Sequence, residues 1–249
     1  MTQLVLSLFP GIGLLDRAFE HEGFCIVRGP DLLWGGNIKL FRVPRGKFAG
    51  IVGGSPCQCF SRLASIIRHN GYKLGENLIP EFERIIAEAQ PDWFVMENVE
   101  GAPIPQIAGY QVDPTLLDNR WLGQVQSRKH RFSFGTRDGR KLNYELAALE
   151  NFDWDYRVCA SDWRRTPVKL LAGGKQKNPK GRRGALSYRG RKRDVAEVCR
   201  LQGLPADFMA HSPFTMRGQI EMLGNGVPYF MGLALARAVR LATSEEKAA

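Results

Sequence analysis

The sequence is poor in the residues that build metal centres. Its four histidines are scattered, and none of its five cysteines (Cys25, Cys57, Cys59, Cys159 and Cys199) forms a CxxC pair. Ligand spacing of the zinc-site kind is therefore missing, and no metal is expected. An odd cysteine count also argues against a disulfide framework. The apolar stretch 4–10 has no basic region before it and no small-residue cleavage site after it, so it does not read as a signal peptide. No apolar run approaches the roughly 18–20 residues that a membrane span needs. These absences lead us to expect a soluble, cytoplasmic chain without membrane association. Nor is there an internal repeat. With 44% hydrophobic residues in a length of 249, the chain can build one full-sized domain, or a large domain carrying a small one.

Acidic residues are absent where basic ones collect. Thirteen of the 35 Lys and Arg, but only one acid, Asp162, lie between positions 156 and 193. That segment carries a net charge of +12 and the remainder −2. One basic segment on a near-neutral body suggests an anionic partner bound at one place, and nucleic acid is favoured over a merely solvated loop.

The first ~135 residues alternate between short apolar runs and helical patterns, which predicts a sheet with helices on both faces. Strands are expected at 3–9, 24–27, 48–53 and 93–96. Another is expected at 131–134, pairing at the sheet edge. Helices are expected at 14–21, 81–89, 194–202 and 230–241. The stretch 171–193 is rich in Gly, Lys and Arg and shows no periodicity that would support an independent core.

Three features carry chemistry. Pro10-Gly11-Ile12-Gly13 follows the first strand, where a Gly-rich turn lets a ligand approach backbone N–H groups at a helix start. Asp31, at the end of the second strand, stands about 20 residues on, where an acid can hold ribose hydroxyls. Cys57 sits in a Gly/Pro-rich loop just past a strand end, a place suited to a nucleophile. Glu97-Asn98 ends the strand at 93–96, and a carboxyl there can pair with the thiol. Each feature has a plainer explanation: a tight turn, a packed cysteine, a helix-capping Asn beside a surface Glu.

Taken together, six segments in order resemble the DNA cytosine-5 methyltransferase family. Leu8-Phe9-Pro10-Gly11-Ile12-Gly13 is similar to its Phe-x-Gly-x-Gly loop, and Pro56-Cys57-Gln58 with Ser61 to its Pro-Cys-Gln-x-x-Ser motif. Glu97-Asn98-Val99 matches Glu-Asn-Val, and Gln126-Ser127-Arg128 opens Gln-x-Arg-x-Arg. Leu201-Gln202-Gly203-Leu204-Pro205 and Gly224-Asn225-Gly226-Val227-Pro228 resemble the last two motifs. There are departures. Asn37 stands where an aspartate is common, and Ala196 where an arginine usually precedes Glu197. The second arginine of the fourth motif is replaced by His130 or supplied one residue late by Arg131. Arg131, which immediately precedes the expected strand, is preferred.

The resemblance implies a Rossmann-like α/β fold of the S-adenosylmethionine-dependent kind, with a mixed sheet. Residues 1–138 form the catalytic domain, 139–193 a small basic target-recognition region, and 194–249 the return to the catalytic domain. It implies that Cys57 attacks C6 of cytosine, that Glu97 acts at N3, and that Arg128 and Arg131 stabilise the ring. Phe9, Gly11, Gly13, Asp31, Asn37, Ile38, Pro56, Leu78, Asn225 and Val227 would hold S-adenosylmethionine. Gln58, Ser61, Arg62, Tyr188, Arg189 and Arg191 would contact double-stranded DNA from which the target base is flipped out. A monomer is expected, from a bacterial or phage setting, alone or in a restriction-modification pair. An RNA cytosine-5 methyltransferase and a non-catalytic binding protein of the same fold are the alternatives.

Overall fold

The computed structural model describes residues 2–61, 64, 69, 71, 74–124, 126–147 and 193–244. Their centre is a six-stranded sheet in the order β2-β1-β3-β4-β6-β5. The strands are β1 (Leu4–Leu8), β2 (Cys25–Arg28), β3 (Gly50–Gly54), β4 (Trp93–Asn98), β5 (Gln111–Asp118) and β6 (Lys129–Thr136). β2, β1, β3 and β4 run parallel, while β6 is antiparallel to both β4 and β5. The helices are α1 (Leu14–His21), α2 (Ile79–Ala89), α3 (Val195–Leu201), α4 (Met216–Asn225) and α5 (Tyr229–Ser244). None of them is long and apolar enough to cross a membrane.

Strand alternation divides the core between the two faces of the sheet. Val5, Val52, Trp93, Val95, Phe132 and Phe134 pack with Phe19 of α1 and with Met231, Leu235 and Val239 of α5. Leu6, Leu8, Ile51, Phe94 and Met96 pack on the other face with Phe82, Ile85 and Ile86 of α2. The buried strands are continuous apolar runs, as a sheet covered on both faces requires. A third cluster joins Val198 and Cys199 of α3 to Ile220 and Leu223 of α4 and to Leu14 of α1. It seats the chain's return beside the turn after β1.

Two expectations change. The strand expected at 131–134 is not the edge: β6 lies between β4 and β5, and β5 closes the sheet. β5 is hidden in the sequence by Pro114, which an edge strand tolerates because one side needs no ladder donor. Helix α4 was also unexpected. It starts at Thr215, whose side chain accepts from the Gly218 N–H. The boundary proposed at 138 has core on both sides of it: Leu142 and Tyr144 pack against the α5 cluster, and Arg140 donates to the Ala242 carbonyl. Most of the basic segment, with Tyr188, Arg189 and Arg191, lies outside the described residues, as does Arg62.

Candidate active site

The parallel strands end on one edge, and there the loops after β1, β2, β3 and β4 surround a cleft of ≈ 860 Å³. The crevice outside the carboxyl ends of parallel strands is where α/β sheets hold their ligands. The loop after β1 is strained to shape it: Phe9, which is not glycine, has φ 56°, and Gly11 has φ 55°. A Cβ on Gly11 would meet no atom within 4 Å, so the space over it stays open. The Gly13 N–H closes the turn on the Pro10 carbonyl at 2.8 Å, and Gly13 caps α1 behind the cleft without lining it.

Asp31 joins this loop to the end of β2. One carboxylate oxygen accepts from the Gly11 N–H at 2.8 Å and the other from the Leu33 N–H at 2.8 Å. A carboxylate has about four lone-pair sites, so the fixed group can still accept from two hydroxyls. Trp34 braces the same turn by donating its indole N–H to the Gly11 carbonyl at 2.7 Å. Asn37 Oδ1 accepts from the Lys39 N–H and keeps a second lone pair for an amino donor. Phe9, Asp31, Asn37, Ile38, Pro56, Leu78, Asn225 and Val227 all line the cleft. Hydroxyl acceptors, an apolar slot and open backbone in one cavity fit a nucleoside carrying an amino acid tail, as S-adenosylmethionine does.

The chemistry sits at the inner end. Cys57, Gln58, Glu97, Arg128 and His130 line the same cleft. Gly54 of β3 pairs with Glu97 of β4, and a Cβ on Gly54 would stand 2.6 Å from Glu97 Oε2. A side chain at position 54 would crowd the Glu97 carboxylate beside the loop that carries Cys57. Asn98, 1% exposed, donates to the Ser55 carbonyl at 3.0 Å and to Ser55 Oγ at 2.9 Å. Its own side-chain oxygen accepts from the Val99 N–H. Asn98 is therefore neither a helix cap nor a ligand group; it pins the Ser55-Pro56-Cys57 turn to β4. Burial and then the negative charge of Glu97 push the Cys57 thiol up, while the Arg128 guanidinium pulls it down.

Alternation places the motif residues after Gln126. Glu97 pairs with Phe132, so residues at even positions on β6 share its face. His130 stands there, and its Nδ1 meets Glu97 Oε1. Arg131 points the other way and donates to the carbonyls of Glu100, Ala102 and Pro103, outside the cleft. The preference for Arg131 ignored this two-residue period: a one-residue shift along a strand changes its face. Ser61 does not line the cleft. Ser7, Asp16, Lys39 and Glu76 do, and no sequence motif marks them. The Lys39–Glu76 ion pair, at 2.6 Å, links two loops of the rim through residues 37 apart.

Fold and cleft define a class, the Rossmann-like methyltransferases. An Entamoeba histolytica methyltransferase, EhMeth, superposes with TM-score 0.62 over 96% of this chain and 98% of its own, at 13% identity. The Schizosaccharomyces pombe Dnmt2 methyltransferase superposes with TM-score 0.59 over 96% of this chain and 99% of its own, at 14% identity. Within that class the chain belongs to the C-5 cytosine-specific DNA methylase family, whose profile matches residues 36–162. It is 28% identical to the type II methyltransferase M.HgiDI of Herpetosiphon aurantiacus, over 94% of this chain and 93% of that one. That alignment spans 301 positions against a chain of 249 residues, so the relative carries segments missing here. The orphan methyltransferase M.SPRI of Bacillus phage SPR is 26% identical over 70% of this chain, which spans only 43% of that relative.

Proposed function

We propose that this protein methylates C5 of cytosine in double-stranded DNA, through a covalent bond between Cys57 Sγ and cytosine C6. The observation that carries the reading is the meeting of Cys57, Glu97 and Arg128 in the cleft that also holds the Phe9–Gly11 loop and Asp31. S-adenosylmethionine, when bound, supplies an electrophilic methyl group on a sulfonium. Asp31 would hold its ribose hydroxyls and Asn37 its adenine amino group. Ile38 and Leu78 would give apolar contact, and Asn225 and Val227 would close the other wall.

Cytosine C5 is a poor nucleophile. Attack of the Cys57 thiolate at C6 pushes electron density to C5 and N3, making C5 nucleophilic. Glu97 receives the charge that develops at N3 by sharing a proton with it, and Arg128 stabilises the ring oxygen. After methyl transfer a base removes the C5 proton, the C5–C6 double bond reforms, and Cys57 leaves. C6 is buried in a duplex, so the base must be extruded first, at a cost of a few kcal/mol. Gln58, Ser61 and Arg62 would face the backbone. The +12 segment with Tyr188, Arg189 and Arg191 would supply phosphate and groove contacts. Incubation with tritiated S-adenosylmethionine and either duplex DNA or tRNA tests the reading. We expect label in DNA, recovered as 5-methylcytosine and abolished by Cys57→Ala. Label confined to tRNA, or absent from both, overturns it.

A further inference from the structure

We infer that His130 is a positioning residue for Glu97, and that a neutral imidazole with its proton on Nδ1 is the working form. The inference rests on the proposed role of Glu97 at cytosine N3. Arg128 Nε lies 2.6 Å from His130 Nε2. A guanidinium N–H only donates, so Nε2 is an acceptor and carries no proton. The imidazole proton is then on Nδ1, and Nδ1–H donates to Glu97 Oε1. The chain Arg128→His130→Glu97 has one direction. It occupies Oε1 and turns Oε2 to the side of Gly54 and the Cys57 loop.

The charged and titratable groups around the imidazole agree with this direction. Glu97 faces it from β4 and Arg128 from its own strand's approach, and Cys57 stands in the same cleft after β3. Lys129, its neighbour in sequence, also lines the cleft. β5 sets Leu117 opposite it, and the next β5 carboxylate, Asp118, is bound to Arg120. Alanine at 130 removes both contacts, whereas an asparagine at 130 keeps an N–H donor for Glu97.

The test compares methyl transfer by the wild-type, His130→Asn and His130→Ala enzymes. His130→Ala should lower kcat roughly 10- to 100-fold at pH 8, the effect of losing one hydrogen bond to a charged group, with KM for DNA changed less than about twofold. His130→Asn, which keeps an N–H donor for Glu97, should recover most of the kcat lost in His130→Ala. In ¹⁵N-imidazole spectra of the free protein, His130 should carry its proton on Nδ1. A His130→Asn enzyme no faster than His130→Ala, an unchanged kcat in His130→Ala, or an Nε2–H tautomer overturns the inference while leaving the proposed function standing. A wild-type enzyme that transfers no methyl removes both.

Discussion

At the scale of single residues, the site is a balance of charges around one thiol. Burial and Glu97 hold Cys57 in its protonated form, and Arg128 opposes them. In the free protein the thiolate is therefore scarce at neutral pH, and alkylation of Cys57 by iodoacetamide should be slow there and accelerate as pH rises. Glu97→Gln removes a charge that disfavours the anion, so alkylation should become faster at any given pH. Arg128→Ala should make it slower. Mass spectrometry of the Cys57 peptide against time reads both rates; the same change in both variants would contradict the balance. Asn98 acts differently, through geometry. Its two bonds to Ser55 are buried, so Asn98→Ala should cost about 1–3 kcal/mol in chemical denaturation and lower kcat as the Cys57 turn loosens. Nothing in the sequence separates these two roles, since Glu97 and Asn98 are adjacent polar residues at a strand end. Only the pleat, which sends them to opposite faces, assigns one to chemistry and the other to support.

At the scale of elements, hydrophobic patterning made the parallel half legible. Helix 14–21 is found as expected, and all five expected strands fall within two residues of their predicted bounds. What failed has physical causes. β5 contains Pro114 and two aspartates, Asp113 and Asp118, so it looks like a loop until the edge position is known. The order of β6 and β5 depends on pairings that local periodicity does not encode. Arg131 lies outside the cleft because the pairing of Glu97 with Phe132 gives the even positions of β6 to the site, a register that local periodicity does not encode. Long-range polar ties were equally hidden. Gln126 donates to the Leu201 carbonyl at 2.7 Å and to Gln202 Oε1 at 2.9 Å, and Gln202 donates to the carbonyls of Leu223 and Gly226. These two glutamines fasten the start of β6's approach to the segment carrying Asn225 and Val227. Gln202→Ala should therefore weaken S-adenosylmethionine binding by roughly 10-fold or more in calorimetry, in line with 1–3 kcal/mol for a stranded buried polar partner. Binding as tight as wild type would show the tie to be dispensable. Gly135 is a packing requirement of another kind: a Cβ there would penetrate the ring of Phe94 on the neighbouring strand. Gly135→Val should destabilise the fold by about 1–3 kcal/mol without altering the site's titrations.

At the scale of the whole molecule, the charge distribution favours a nucleic-acid partner bound at one place. Thirteen basic residues in 156–193 stand against a near-neutral remainder. If that segment neutralises phosphates, the slope of log affinity against log salt should be about −0.9 per contact. Replacing Arg189 and Arg191 together by alanine should reduce the magnitude of that slope by about 2, with S-adenosylmethionine affinity unchanged. A slope unaffected by the pair would place the DNA elsewhere on the molecule.

Covalent trapping reads the proposed bond between Cys57 and C6 of a cytosine in DNA. Duplex DNA carrying 5-fluorocytosine at target sites has no proton on C5 to release, so the adduct persists after methyl transfer. With S-adenosylmethionine present, a protein–DNA complex stable to denaturing electrophoresis should form, its peptide map should place the link at Cys57, and Cys57→Ala should abolish it. No such complex from active protein, or one that survives Cys57→Ala, contradicts the account.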